Sequence, residues 1–116
     1  MTSTQRRTTA DVDTEQLRDL VGLVPHDESA DLFPVHALDA VVFVVGNSTQ
    51  AAAYFQLAFG MNLVAYSGPE TGQRDHKSWV LTAGSARFVF MGAVSADSDY
   101  AEHHRRHGDG VIDLAL

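Results

Sequence analysis

The sequence predicts an α+β fold in the order strand, helix, strand, strand, strand, then a crossover and one further strand. Three observations predict it. The run Leu38–Val45 (LDAVVFVV) is β-branched and apolar and is bounded by Gly46. The segment NSTQAAAYFQLAF that follows has a helix-capping start at Asn47 and a glycine stop at Gly60. Two later runs, Lys77–Thr82 and Ala86–Gly92, alternate with period two around Ala83–Gly84–Ser85, a short glycine-containing hairpin connection.

The elements follow in order. Met1–Ala10 is polar and Thr-rich and reads as disordered. Asp13–Val24 has helical spacing, with Leu17, Leu20, Val21 and Val24 on one stripe; Asp13 with Gln16 resembles a capping box, and Pro25 stops the run. A helix this short is marginal by itself. It reads as an element that docks or frays, with a partner-binding amphipathic helix as the other reading. Pro25–Pro34 is linker-like, so residues 1–34 are expected to form a flexible tail and residues 35–116 the domain.

Leu38–Val45 is expected to be a strand buried on both faces. The next helix is expected to run from Asn47, with Gln50 completing a capping box, to about Phe59, with Ala51, Phe55, Ala58 and Phe59 on its packed stripe. Asn62–Ser67 is the second strand and Gly68–Gln73 a loop. On the hairpin strands, Trp79 and Leu81 alternate with Ser78, Val80 and Thr82, and Phe88 and Phe90 with Arg87, Val89 and Met91. Asp99 with Glu102 resembles a cap ahead of a short helix to His107, and HGDG is a turn. Val111–Leu116 is a last strand, and a chain that stops inside a strand reads as cut.

Composition narrows the function classes. At 116 residues there is room for one domain, and an apolar fraction of 45% is ordinary for a globular protein. The net charge is −7, with 3 basic and 7 acidic residues up to Pro34 and 5 and 8 after it. Nucleic acid and anionic membranes, which need a basic patch, are not expected partners. The absence of cysteine excludes disulfides, thiolate metal sites and a cysteine nucleophile. No apolar stretch follows Arg6 and Arg7 to make a secretory signal, and Ala40–Val45 is too short to span a bilayer. The expected location is cytoplasmic.

Candidate chemistry is sparse. His103 and His107 stand at i, i+4, a spacing that holds one metal ion on a helix. However, Glu102 precedes the pair, so this is not H-E-x-x-H, and Arg105 and Arg106 between the histidines would repel a divalent cation. The pair reads as part of a solvated basic helix end, with His104 beside it. His26, His36 and His76 read as surface residues. Asp39, at a strand start, has solvent or local backbone donors within reach. Asp113, between Ile112 and Leu114, is read as reaching solvent, pairing with an arginine such as Arg87, or lining a cavity. GPETG lacks the Lys-Ser/Thr ending of a phosphate-binding loop, and no G-x-S-x-G occurs.

The β-α-β-β-β order, with the helix-and-strand segment AAAYFQLAFGMNLVAY, resembles one module of the vicinal oxygen chelate superfamily. Two such modules pair to close a curved sheet around a metal site, and the last strand would begin the second. Within that superfamily, FPVHALDAVVFVVGNSTQAAAYFQLAFGMNLVAYSGPETG, SWVLTAGSARFVF and HGDGVIDLAL are similar to the N-terminal part of bacterial 4-hydroxyphenylpyruvate dioxygenases. These segments cover nearly all of Phe33–Leu116.

The resemblance implies a non-haem Fe(II) enzyme of tyrosine catabolism that converts an aromatic 2-oxo acid and O₂ to homogentisate and CO₂. Its iron is held by two His and one carboxylate. In the family these ligands belong to the C-terminal domain, which is therefore an implied partner absent from this chain. The first-strand position that a metal-bearing module fills with His corresponds here to Ala40, and the last-strand position to Asp113. The resemblance thus implies a metal-free half, inactive by itself, truncated after the first strand of its second module. No residue of the chain is assigned a catalytic, cofactor-binding or metal-ligating role. An uncovered sheet face, with Trp79, Phe88 or Phe90 forming an apolar patch, is expected to make the chain homo-oligomeric or marginally stable.

Three other readings remain. One is a hydroxymandelate synthase-like N-terminal domain. Another is a stand-alone dimeric module that binds a small hydrophobic ligand. The third is a metalloenzyme assembled as a dimer, with Asp113 and histidines shared across subunits.

Overall fold

The computed structural model describes residues 14–22 and 27–116. The chain divides into two units, residues 1–34 and 35–116. The first contains helix α1 (Thr14–Val21) and a single 3₁₀ turn at Glu28–Ala30. The expected Asp13 cap, the Pro25 stop and His26 lie outside the described residues.

The second unit runs β1 (Ala40–Val44), α2 (Ser48–Phe59), β2 (Asn62–Ser67), β3 (His76–Ala83), β4 (Ala86–Ala93), α3 (Asp99–His107) and β5 (Gly110–Ala115). Its five strands form one sheet in the order β2-β3-β4-β1-β5. The pair β1–β4 is parallel and every other pair antiparallel. Backbone pairing extends β1 towards its expected length, since Asp39 N donates to Ala115 O at 2.7 Å and Val45 N to Met91 O at 2.9 Å.

Turn chemistry sets the hairpin. Ala83 pairs with Ala86, leaving Gly84 and Ser85 as a two-residue loop, and Gly84 takes φ +58° at the position where a type II′ turn needs it. The register then places Trp79 opposite Phe90 and Leu81 opposite Phe88, so all four share one sheet face. Helix α2 packs over β3 and β4 on that face. The core is Val45, Ala52, Met61, Leu81 and Phe90, with Phe43, Ala51, Phe55, Trp79 and Phe88 packed around it. Phe55 and Phe90 have ring centroids 4.7 Å apart.

Two expectations are corrected here. Of the aromatic side chains expected to form an exposed patch, Phe90 is buried beneath α2 at 2% exposure, while Trp79 and Phe88 are half-buried against the same core. The packed stripe of α2 also stops short of its expected end. Ser48 and Ala52 are buried and Ala51, Phe55 and Gln56 half-buried, while Ala58 and Phe59 are exposed, Phe59 to 62%. The reason is the entry of the helix. Gly92 lies so close to Ser48 that an added Cβ would sit 2.9 Å from Ser48 Oγ and 3.2 Å from its backbone N. This contact pins the first turn of α2 to β4. Phe59 then lies more than two turns away.

The caps follow the same logic. Asn47 Oδ1 accepts from Gln50 N at 3.0 Å, and Gly60 closes the helix at φ +65°. At α3 the cap is Ser98, one residue before the expected Asp99: its Oγ accepts from Tyr100 N at 3.2 Å and itself donates to Asp75 Oδ2 at 3.2 Å. The strand β1 is not buried on both faces throughout. Ala40, Val44 and Val45 are buried, but Val41, Val42 and Phe43 are half-buried, because α2 lies over β3 and β4 and β5 is an edge strand.

Candidate functional site

Three places in the 35–116 unit carry polar chemistry. The first is the sheet face opposite α2. Ala40 pairs with Ala115 and Val42 with Asp113, so Ala40, Val42, Val44, Asp113 and Ala115 share that face. Ile112 is an extra residue at a bulge between the Val42–Asp113 and Phe43–Val111 pairs. The bulge restores Val111 to the face of Phe43 while Asp113 stays on the other. The Asp113 side chain is exposed and makes no ion pair or hydrogen bond among the described residues. Arg87 is not its partner: Arg87 Nη1 lies 2.5 Å from Asp39 Oδ1, joining the start of β1 to the start of β4. Asp39 itself is exposed to solvent, as expected, and gains this pair in addition.

The second place is a knot at Asp109, which the sequence marked only as part of a turn. Its Oδ1 accepts from the backbone N–H of Gly46 at 2.8 Å and contacts His104 Nε2 at 2.7 Å. The Gly46 N–H first, and His104 second, hold the Asp109 carboxyl below its ordinary value of 3.8. Gly46 has no room for a side chain here, since a Cβ would meet the His104 ring at 3.0 Å. Beside this knot is an open cavity of about 800 Å³. Phe43, Val45, Ala51, Phe55 and Phe90 give it apolar walls, and Asn47, Gln50, Tyr54, His104 and Asp109 give it a polar rim. The only sequence signal for it was an aspartate held between two glycines in HGDG.

The third place is α3. The rings of His103 and His107 lie 4.7 Å apart, inclined at 45°. Glu102 contacts both arginines, Arg105 through one carboxylate oxygen and Arg106 Nε through the other at 2.6 Å. His76, expected in a surface loop, is instead the first residue of β3. Its side chain is 17% exposed and meets Tyr100 edge-on at 4.9 Å. His36 is exposed as expected.

An iron site of two His and one carboxylate requires three converging donors. Among the described residues no three His, Cys, Asp or Glu side chains form such a group. On the face where Ala40 and Asp113 meet, the flanking Val42, Val44 and Ala115 offer no side-chain donor. The donor set therefore does not fit such an iron. Among the described residues no helix is long and apolar enough to cross a membrane.

No protein-family model matches the chain. It is 43% identical over 83 residues to the 4-hydroxyphenylpyruvate dioxygenase of Dictyostelium discoideum, covering 71% of this chain and 23% of that relative. The fold is similar to that of a 4-hydroxymandelate synthase variant from Streptomyces coelicolor, with TM-score 0.66 and 30% identity over 70% of this chain and 25% of that one. A methylmalonyl-CoA epimerase from Mycobacterium tuberculosis shares the fold at TM-score 0.60 and 21% identity, over 72% of this chain and 56% of that one. The chain spans about a quarter of the length of the dioxygenase. By fold the chain is a vicinal oxygen chelate protein, and by sequence it belongs, over the matched stretch, with the 4-hydroxyphenylpyruvate dioxygenases.

Proposed function

We propose that the chain is the N-terminal, iron-free part of a 4-hydroxyphenylpyruvate dioxygenase-like enzyme of tyrosine catabolism in the cytoplasm. Its role there is to build and support the fold on which a separate domain carries Fe(II). The observation that carries this reading is the 43% identity to a dioxygenase over 71% of the chain. The geometry of the Ala40–Asp113 face supports the iron-free part of it, because a methyl group cannot ligate a metal and one carboxylate alone does not make a facial triad. No residue of the chain enters the coordination of the iron or touches the reacting 2-oxo acid.

Two experiments test this. Oxygen uptake by the purified chain, supplied with Fe(II) and 4-hydroxyphenylpyruvate, is expected to stay at the level of buffer. Homogentisate formation would contradict the iron-free assignment. Sedimentation is expected to show self-association, because β2 and β5 are edge strands carrying exposed Leu63, Val64, Val111, Ile112 and Leu114. A monomer that unfolds cooperatively and with high stability would contradict a half that needs a partner.

A hydroxymandelate synthase-like reading shares this architecture and is favoured by the 30% identity to that synthase over 70% of the chain. The two readings differ in the carbon that is hydroxylated, and the products of a complete enzyme, homogentisate or hydroxymandelate, separate them.

A further inference from the structure

We infer that His103 and His107 form a surface site for one borderline divalent transition-metal ion, of the class Cu²⁺, Ni²⁺ or Zn²⁺. The inference is independent of the dioxygenase reading and does not concern its iron. Both residues lie on α3, four positions apart, where side chains stack one above the other along one helix face. Their ring centroids are 4.7 Å apart. A metal–imidazole bond is about 2.0–2.1 Å, so two nitrogens in adjacent coordination positions of one ion lie about 3 Å apart. Rotation about the side-chain bonds of half-buried His103 and exposed His107 can bring one nitrogen of each ring to that spacing, and water fills the other positions.

The sequence argued against the site through the charges of Arg105 and Arg106. The structure removes most of that objection. Both guanidinium groups turn back onto Glu102, one at each carboxylate oxygen. With Asp99, the helix carries two acidic and two basic side chains, and the chain as a whole has net charge −7. A cation approaching the histidines therefore meets less repulsion than two free arginines would exert. His104 does not join the pair, because its Nε2 is held by Asp109 at 2.7 Å. Imidazole donors select Cu²⁺, Ni²⁺ and Zn²⁺ over Mg²⁺ or Ca²⁺, and affinity should fall from Cu²⁺ to Ni²⁺.

The test is calorimetric titration of the chelator-treated 116-residue chain with Ni²⁺ and with Cu²⁺ at neutral pH. One ion per chain is expected, with His107→Ala weakening binding by about tenfold or more and His36→Ala leaving it unchanged. Ni²⁺ should also raise the melting temperature of the unaltered chain but not of His107→Ala, since bridging adjacent turns stabilises the helix. Unaltered affinity in His107→Ala, or no binding by the unaltered chain up to millimolar metal, overturns the inference.

Discussion

The backbone N–H of Gly46 donates to Asp109 Oδ1 at 2.8 Å, across 63 positions of sequence. The bond ties the end of β1 to the turn that launches β5, the two strands that lie side by side at the edge of the sheet. His104 shares the same carboxylate oxygen, so one aspartate joins β1, α3 and β5. Replacing Asp109 with Ala removes both contacts. Because the side chain is largely exposed, the expected loss is about 1 kcal/mol of unfolding free energy, read from the urea midpoint.

The same group carries a pH dependence. Its carboxyl is held below its ordinary value of 3.8 in the folded chain. Its contribution to stability is therefore present above that value and lost as pH falls through the lower folded value. Asp109→Asn should flatten the acid limb of a stability–pH curve below about pH 4 relative to the unaltered chain. Identical acid limbs for the two proteins would show that the contact contributes nothing.

Glycine close approaches give contrasting costs. A methyl group at Gly92 meets the backbone N of Ser48 at 3.2 Å as well as its side chain, so α2 must shift to admit it. Gly92→Ala should destabilise by about 1–3 kcal/mol in thermal or urea unfolding. At Gly68 the added carbon meets the end of the Tyr66 side chain and, at 3.1 Å, Glu70 Oε2, both tips of side chains that can swing away. Gly68→Ala should cost less than Gly92→Ala in the same measurement.

Tyr66 reports on that loop. Its hydroxyl donates to Glu70 Oε2 at 2.6 Å, and this bond raises the tyrosine pKa above its ordinary value of 10.0. In Glu70→Gln the titration of Tyr66, followed by ultraviolet absorbance, should move down towards the ordinary value. An unchanged titration would mean that the hydroxyl and Glu70 are not bonded in solution.

Much of the fold was legible because its signals are local. Asn47, Gly60 and Gly84 name their own caps and turn, and the alternation in Trp79–Leu81 and Phe88–Phe90 places both strands in register. What was missed depends on tertiary placement. The stripe of α2 follows from the close approach of Gly92 and Ser48, and those residues are 44 positions apart. The Arg87–Asp39 pair spans 48 positions, and nothing in either strand alone announces it. His76 looked like a loop residue until Tyr100 of a later helix packed on it. The candidate site was legible only through Ala40 and Asp113, because a family pattern marked those positions. The Asp109 knot has no motif, since its partner is a backbone N–H and any residue supplies one.

The most direct test is a chimera. The segment of the Dictyostelium discoideum dioxygenase that matches this chain is replaced by residues 33–116, and the rest of that enzyme is kept. Formation of homogentisate from 4-hydroxyphenylpyruvate at a rate near that of the unaltered enzyme is expected, because the transplanted part supplies fold and no reacting group. A chimera that folds, binds iron and yet forms no homogentisate would contradict the account.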